Sequence, residues 1–365
     1  MIEINDTCAE DPPQADTFRM ILIVGIGTVV SLIGIALNSF LLLSLRRLDA
    51  FRSNLLYLFL LAWLDILVEI CFMLIFPASL VWDYYRVEFL YTCWHFYIKY
   101  VSTVGQVLIA SSTLLIVAAS FERYICSLKS SIQFSPRRRF LCMTIVAMCA
   151  LFMKGSVFFE LELQSLPHCP SFQNLRLDLS EITRGESYKT IWMFWCRSIF
   201  NVFLPFSMLL ILNSLTISNL SKLQATGFQS VLVEFQQMPT LLPRNPDACA
   251  ARRRKRDATR TLAALITIYL LTNTLNLLIT IMEFINPDVL GSLGEGWTYK
   301  YLADLSSVLT ISSTAFRLPV YFLCNGDIRA QIRAFAKSCF VEQNEKKKLK
   351  NLTIPLTSSY AESVL

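Results

Sequence analysis

Seven long apolar runs decide most of what this chain can fold into. They lie at residues 20–45, 54–80, 94–127, 139–160, 189–218, 259–285 and 300–324. Each reaches the roughly 20 residues that an α-helix needs to cross the hydrocarbon core of a bilayer. They are apolar all round, whereas a helix of a soluble bundle shows a stripe about 100° wide. Composition agrees, with 54% hydrophobic and only 16% charged residues, against about 25% charged in a soluble domain. Lys154 interrupts the fourth run, and Ser and Thr dilute the seventh. The expected fold is therefore an all-α membrane protein, a bundle of seven transmembrane helices.

Charge orients the bundle. Arg46, Arg47 and Arg52 follow the first run, and Lys129, Arg137, Arg138 and Arg139 follow the third. Arg252, Arg253, Arg254, Lys255, Arg256 and Arg260 precede the sixth, and Arg329, Arg333 and Lys337 lie in the tail. These alternate connections face the cytoplasm by the positive-inside rule, which puts the N-terminus outside. Asn5-Asp6-Thr7 is then an outer glycosylation sequon. The first run is too long for a cleavable signal peptide and lacks a small-residue cleavage site, so it is expected to act as a signal anchor. The chain divides into an extracellular N-terminus 1–19, a seven-helix domain 20–325 with an inner loop 219–258, an amphipathic helix 326–340 and a cytoplasmic tail 341–365. In the amphipathic segment Ile328, Ile332 and Phe335 alternate with the basic residues, as suits a helix lying on the inner leaflet. Cys339 at its end is a candidate for palmitoylation.

Several functions are disfavoured at once. Only two histidines exist, His95 and His168, and no His/Cys spacing suggests a metal site. There is no phosphate-binding loop and no evident catalytic set, so no enzyme is expected. Without an internal repeat an inverted-repeat transporter is disfavoured. The basic cluster at 252–256 lies beside the membrane, where anionic inner-leaflet lipid and a cytoplasmic partner suit it better than nucleic acid. Charges within the apolar runs carry more information, because they are costly there. Glu122-Arg123-Tyr124 closes the third run, Asp65 lies inside the second, and Arg317 lies inside the seventh.

Together these features resemble the rhodopsin-like (class A) G-protein-coupled receptors, over about residues 20–340. Gly34-Ile-Ala-Leu-Asn38 is similar to that family's first-helix motif, with Asn38 as polar anchor. The stretch from Asn54 to Asp65 is similar to its second-helix motif N-L-x-x-x-x-L-A-x-x-D. Ser112, eleven residues before Arg123, falls at a sodium-site serine, and Pro205 at the kink of the fifth helix. Ile211-Leu212-Asn213 and Thr280-Ile-Met-Glu283 resemble the FMRFamide- and myosuppressin-like neuropeptide receptors of invertebrates. Departures stand beside these matches. Thr272-Asn273-Thr274 replaces the aromatic toggle of the sixth helix, and the fourth helix lacks the family tryptophan. Arg317-Leu318-Pro319-Val320-Tyr321 replaces N-P-x-x-Y, with Arg for Asn and Pro displaced by one.

The resemblance implies an extracellular ligand, a heterotrimeric G protein and arrestin as partners. It implies that Glu122 restrains Arg123 at rest, and that Asn38, Asp65, Ser112, Pro205, Asn273, Arg317, Pro319 and Tyr321 take part in activation. In that arrangement Arg317 lies near the depth of Asp65 and can pair with it, so sodium binding at Asp65 is expected to be weak or absent. It also implies a disulfide between Cys93 and Cys169. Cys93 lies thirty residues before Arg123, further than the family spacing, and Cys8 is a second outer cysteine that competes. At the position of the amine receptors' anchoring aspartate stands Gly105. The ligand candidates are Glu69, Lys99, Gly105, Glu160, Glu283, Trp297 and Asp304, with Glu162, Trp94, Tyr97 and Tyr301 nearby. Such acids and aromatics suit the cationic, aromatic end of an Arg-Phe-amide peptide. A chemosensory receptor of the same fold for a small external molecule is the alternative.

Overall fold

The computed structural model describes Cys8 and residues 16–46, 56–128, 135–216, 218–219, 246–285, 297–326 and 328–338. Helix α1 is Thr17–Arg46, α2 is Leu56–Tyr85 and α4 is Pro136–Glu160; between them α3 is Glu88–Leu128. Helix α5 covers residues 188–216, α6 is Pro246–Ile285, α7 is Thr298–Cys324 and α8 covers 328–338. Asn5 and Cys339, with most of the inner loop, lie outside the described residues.

Six of these helices are long and apolar enough to cross a membrane: α1 to α4, the Ala263–Met282 part of α6, and α7. Within α5 only Leu204–Thr216 is a regular apolar helix. Its outer half is wound as π-helix at Tyr188–Cys196 and Ile199–Phe203 and carries Lys189 and Arg197. Wider turns of this kind commonly occur at functional positions. The seven helices still close into one bundle.

α3 packs against both α2 and α4, α1 against α2 and α7, and α6 against α7. Three apolar clusters are stacked through the bundle. The inner one joins Leu41, Leu45, Leu58, Leu265 and Tyr321 to Ile328 and Ile332 of α8. The middle one holds Leu61, Leu115, Ile116, Leu209 and Ile266. The outer one holds Ile23, Phe72, Leu80, Val308 and Ile311. Phe140, Ile145 and Leu271 are exposed on the perimeter, where a bilayer rather than water would receive them.

Two prolines shape the helices. Pro77 inside α2 cannot donate to the preceding turn. Trp94 Nε1 donates to Ile75 O at 3.0 Å and Tyr97 Oη to Leu74 O at 2.9 Å, so α3 satisfies carbonyls in that turn. Both aromatic residues therefore serve the α2–α3 contact. Pro319 acts in the same way in α7, where a turn at Phe316 precedes a restart at Arg317.

The outer surface corrects one sequence expectation. Leu161–Ser165 (β1) and Leu175–Leu179 (β2) form an antiparallel hairpin, pairing Leu161 with Leu179 and Leu163 with Leu177. The disulfide beside it joins Cys8 to Cys169, and Cys93 is a free thiol. The expected Cys93–Cys169 bridge is absent because α3 already begins at Glu88. Tyr91 is the α3 residue facing the hairpin: its hydroxyl donates to Leu175 O at 2.8 Å and accepts from Leu175 N at 3.0 Å. Cys93 stands two residues further on, about 200° around the helix. A tyrosine thus ties α3 to the hairpin, and the disulfide ties the N-terminal segment there instead.

Candidate functional site

At the inner end of α3 the acid and the arginine go separate ways. Glu122 is buried and takes Arg139 of α4 as its partner, with Nη2–Oε1 at 2.7 Å and Nε at 3.1 and 3.3 Å from the two carboxylate oxygens. Arg139 is placed there by the start of α4, where Ser135 caps the helix by accepting from Arg138 N at 3.4 Å and Pro136 occupies its first turn. Arg123 has the adjacent Glu122 as its nearest negative neighbour, but it forms no close ion pair among the described residues. It lines an inner cavity of about 90 Å³ with Tyr57, Thr261, Tyr269, Arg317 and Tyr321. The restraint on Arg123 is thus unlike the expected one, since Arg139 competes for the same carboxylate. Tyr124 is half-buried beside it.

The middle of the bundle is a closed charge network. Asp65 is completely buried. Arg317 Nη1 lies 2.5 Å from its Oδ1 and 2.7 Å from its Oδ2, and Nη2 donates to Ser112 Oγ at 3.2 Å. Three residues singled out from sequence therefore meet, with the guanidinium filling the space beside the carboxylate. Glu69, one turn outward, is also fully buried. Its Oε1 accepts from the Thr314 hydroxyl, and its Oε2 has no partner among the described residues. The carboxylate lies against Gly34, where an added Cβ would come within 2.5 Å of Oε1. Asn38 is buried on the same face of α1 and donates to Thr314 O at 3.4 Å.

Above this network lies a large cavity of about 720 Å³ between α2, α3, α4, α5, α6 and α7. Gly105, Ser112, Pro205, Asn273 and Arg317 all line it. Asn273, at the toggle position, donates to Tyr269 O at 2.9 Å within its own helix. Of the ligand candidates expected from sequence, only Gly105 among the described residues lines this cavity; Gln106, Lys154 and Arg197, which also line it, carried no ligand role there. Lys154 Nζ donates to Gln106 Oε1 at 2.9 Å. Arg197 pairs with Glu160 and donates to Ser156 Oγ at 3.3 Å. A cation inside an otherwise apolar run was the available signal for Lys154 and Arg197.

Two of the expected acidic ligand groups, Glu160 and Asp304, are already held by arginines. Glu160 is buried and also accepts from Tyr188 Oη at 2.8 Å. Asp304 is held by Arg19, with Nε–Oδ2 at 2.5 Å and Nη2–Oδ1 at 3.2 Å. Tyr301 donates to Asp16, a hydrogen bond that holds the Asp16 carboxyl below the usual carboxylate range. Lys99 Nζ sits 4.5 Å above the Phe158 ring, a cation–π contact. Glu162 lies in β1. Glu283 and Trp297 fall in α6 and at the start of the seventh helix, but their side chains lie outside the described residues. Pro319 and Tyr321 lie just past the turn in α7, and Tyr321 joins the inner apolar cluster.

No known family model matches the sequence, and no curated protein matches it. Among solved structures, squid rhodopsin superposes with a TM-score of 0.63 over 91% of this chain and 88% of that chain, at 14% sequence identity. The likeness is one of architecture: this chain has the seven-helix fold of squid rhodopsin.

Proposed function

We propose that the chain is a G-protein-coupled receptor: it binds an extracellular ligand within the bundle and activates a heterotrimeric G protein. The observation that carries this reading is the pair of cavities stacked along one axis. The larger lies above the Asp65–Arg317 network, and Arg123 lines the smaller below it. Arg317 borders both, so an outer ligand and an inner partner act on the same buried pair. A two-state element that both sites bias is the physical requirement for such coupling. Glu122 and Arg139 form the inner restraint, and its opening would release the inner end of α3 from α4. The protein would lie in the plasma membrane with its N-terminus outside and its basic connections facing anionic lipid, the G protein and arrestin. Asn5 is then an outer glycosylation site and Cys339 an inner palmitoylation site.

Basal G-protein engagement in cells, read by an energy-transfer sensor, tests this without a ligand. Glu122→Gln is expected to raise it severalfold, and Arg123→Ala to abolish that rise. Equal signals from both variants and the parent at matched surface expression would refute the reading.

The resemblance to FMRFamide-like receptors supports an amidated neuropeptide as ligand. A panel of amidated peptides in the same sensor assay tests that choice, and silence across the panel removes it. The engagement of Glu160 by Arg197 and of Asp304 by Arg19 favours the second reading, a small external molecule, because the cationic end of a peptide would have to displace an arginine.

A further inference from the structure

We infer that the large cavity is built for an organic carboxylate with an apolar body, and that Lys154 is its anchor. The inference deepens the receptor reading, since it names the ligand class of the same site.

Charge balance carries it. Three cations line the cavity, Lys154, Arg197 and Arg317, and among the described residues no Asp or Glu lines it. Arg317 is matched by Asp65, and Arg197 by Glu160 behind the wall. Lys154 instead meets the neutral amide of Gln106 at 2.9 Å. The group of Lys154, Arg197 and Glu160 therefore keeps one surplus positive charge, in a place where water is scarce and an uncompensated charge is expensive. The break in α4 at Ser156 explains why a cation is tolerated at Lys154, in the last turn before it, because the cation complements the helix dipole. It does not explain why the ammonium turns inward to α3.

Geometry supplies the rest. An ammonium has three donors, and Gln106 accepts one. The remaining donors suit an acceptor that arrives with the ligand. Ile75, Phe76, Ile109, Phe152 and Phe200 give the same cavity an apolar surface for the remainder of the molecule. A few polar groups set in an apolar wall is the usual composition of a small-molecule site. The junction between the two π-wound stretches of α5 places Arg197 at the same edge of the cavity, near enough to Lys154 to add to its positive field. A neutral amide terminus, such as that of an amidated peptide, would leave this surplus charge uncompensated.

The test uses the full chain, purified into lipid nanodiscs. The probes are phenylbutyrate, indole acetate and octanoate, each with its alcohol and amine congener. Thermal stabilisation and calorimetric affinity are the readouts. At least one acid is expected to bind about tenfold or more tightly than its alcohol, the worth of a charge-assisted hydrogen bond, and its amine is expected not to bind. Lys154→Met should abolish the acid preference, and Lys154→Arg should retain it, which shows that the site is still folded. If no acid is preferred over its alcohol, or if Lys154→Met keeps the preference, the inference is overturned. Acid binding without any G-protein response to the same compounds would uphold the site and count against the receptor reading instead.

Discussion

Asp65 and Glu69 stand one turn apart on α2, both fully buried, and their surroundings differ sharply. Asp65 receives a guanidinium on both oxygens, from Arg317 of α7. Glu69 accepts from the Thr314 hydroxyl, from a position three residues earlier on α7, and among the described residues its Oε2 has no hydrogen-bond partner. Adjacent turns of the same two helices thus hold one ion pair and one isolated carboxylic group. Burial alone does not make a carboxylate a stabilising element; the partner presented across the interface does.

The sharpest way to break the contrast is Arg317→Leu, which strands the Asp65 charge. It should cost about 3–5 kcal/mol, read as a fall in the unfolding midpoint of the purified protein in a denaturant titration. A loss below about 1 kcal/mol would mean that the pair contributes no more than an exposed bridge. Asp65→Leu combined with Arg317→Leu should return most of that stability, to within about 1–2 kcal/mol of the parent, because buried pairs are often replaceable by apolar residues.

A smaller effect concerns sodium. The parent should melt at the same temperature in sodium and potassium chloride at equal ionic strength, since the guanidinium stands where a bound cation would. Arg317→Gln should gain a sodium-specific stabilisation of about 1.4 kcal/mol at ten times its dissociation constant. A clear sodium effect on the parent would show that the two cations are compatible. The smallest effect is expected for Glu69→Gln. The amide keeps an acceptor for Thr314 and removes an unpaired carboxylate, so stability should change by less than about 1 kcal/mol in either direction. A loss of several kcal/mol would reveal a charged partner for Glu69 and dissolve the contrast.

The bundle was legible from the sequence because spans are written in composition over windows of about 20 residues. Among the described residues α5 has the shortest apolar helix of the seven, Leu204–Thr216, and Lys189 and Arg197 dilute its outer half. The Asp65–Arg317 contact was legible too, since two opposite charges at one membrane depth have few alternatives to each other. Cys169 was harder: pairing of outer cysteines depends on which face of α3 meets the hairpin, and Cys93 and Tyr91 are indistinguishable in that respect until the helix start is known. Lys154 was read only as a flaw in a span. Its neutral partner Gln106 lies 48 residues away on another helix, and no local pattern links them.

By itself, then, the sequence determined the number of spans, their expected direction and the places where charge interrupts hydrocarbon, because these depend on transfer energies summed along the chain. The tertiary structure alone decided which charges meet. Arg139 rather than Arg123 closes on Glu122, Arg197 rather than a ligand closes on Glu160, and Lys154 meets the Gln106 amide rather than a carboxylate at the edge of the cavity. Ion pairing depends on distances of a few ångströms between helices, and those are set by rotation and depth in the packed bundle rather than by any span's own composition.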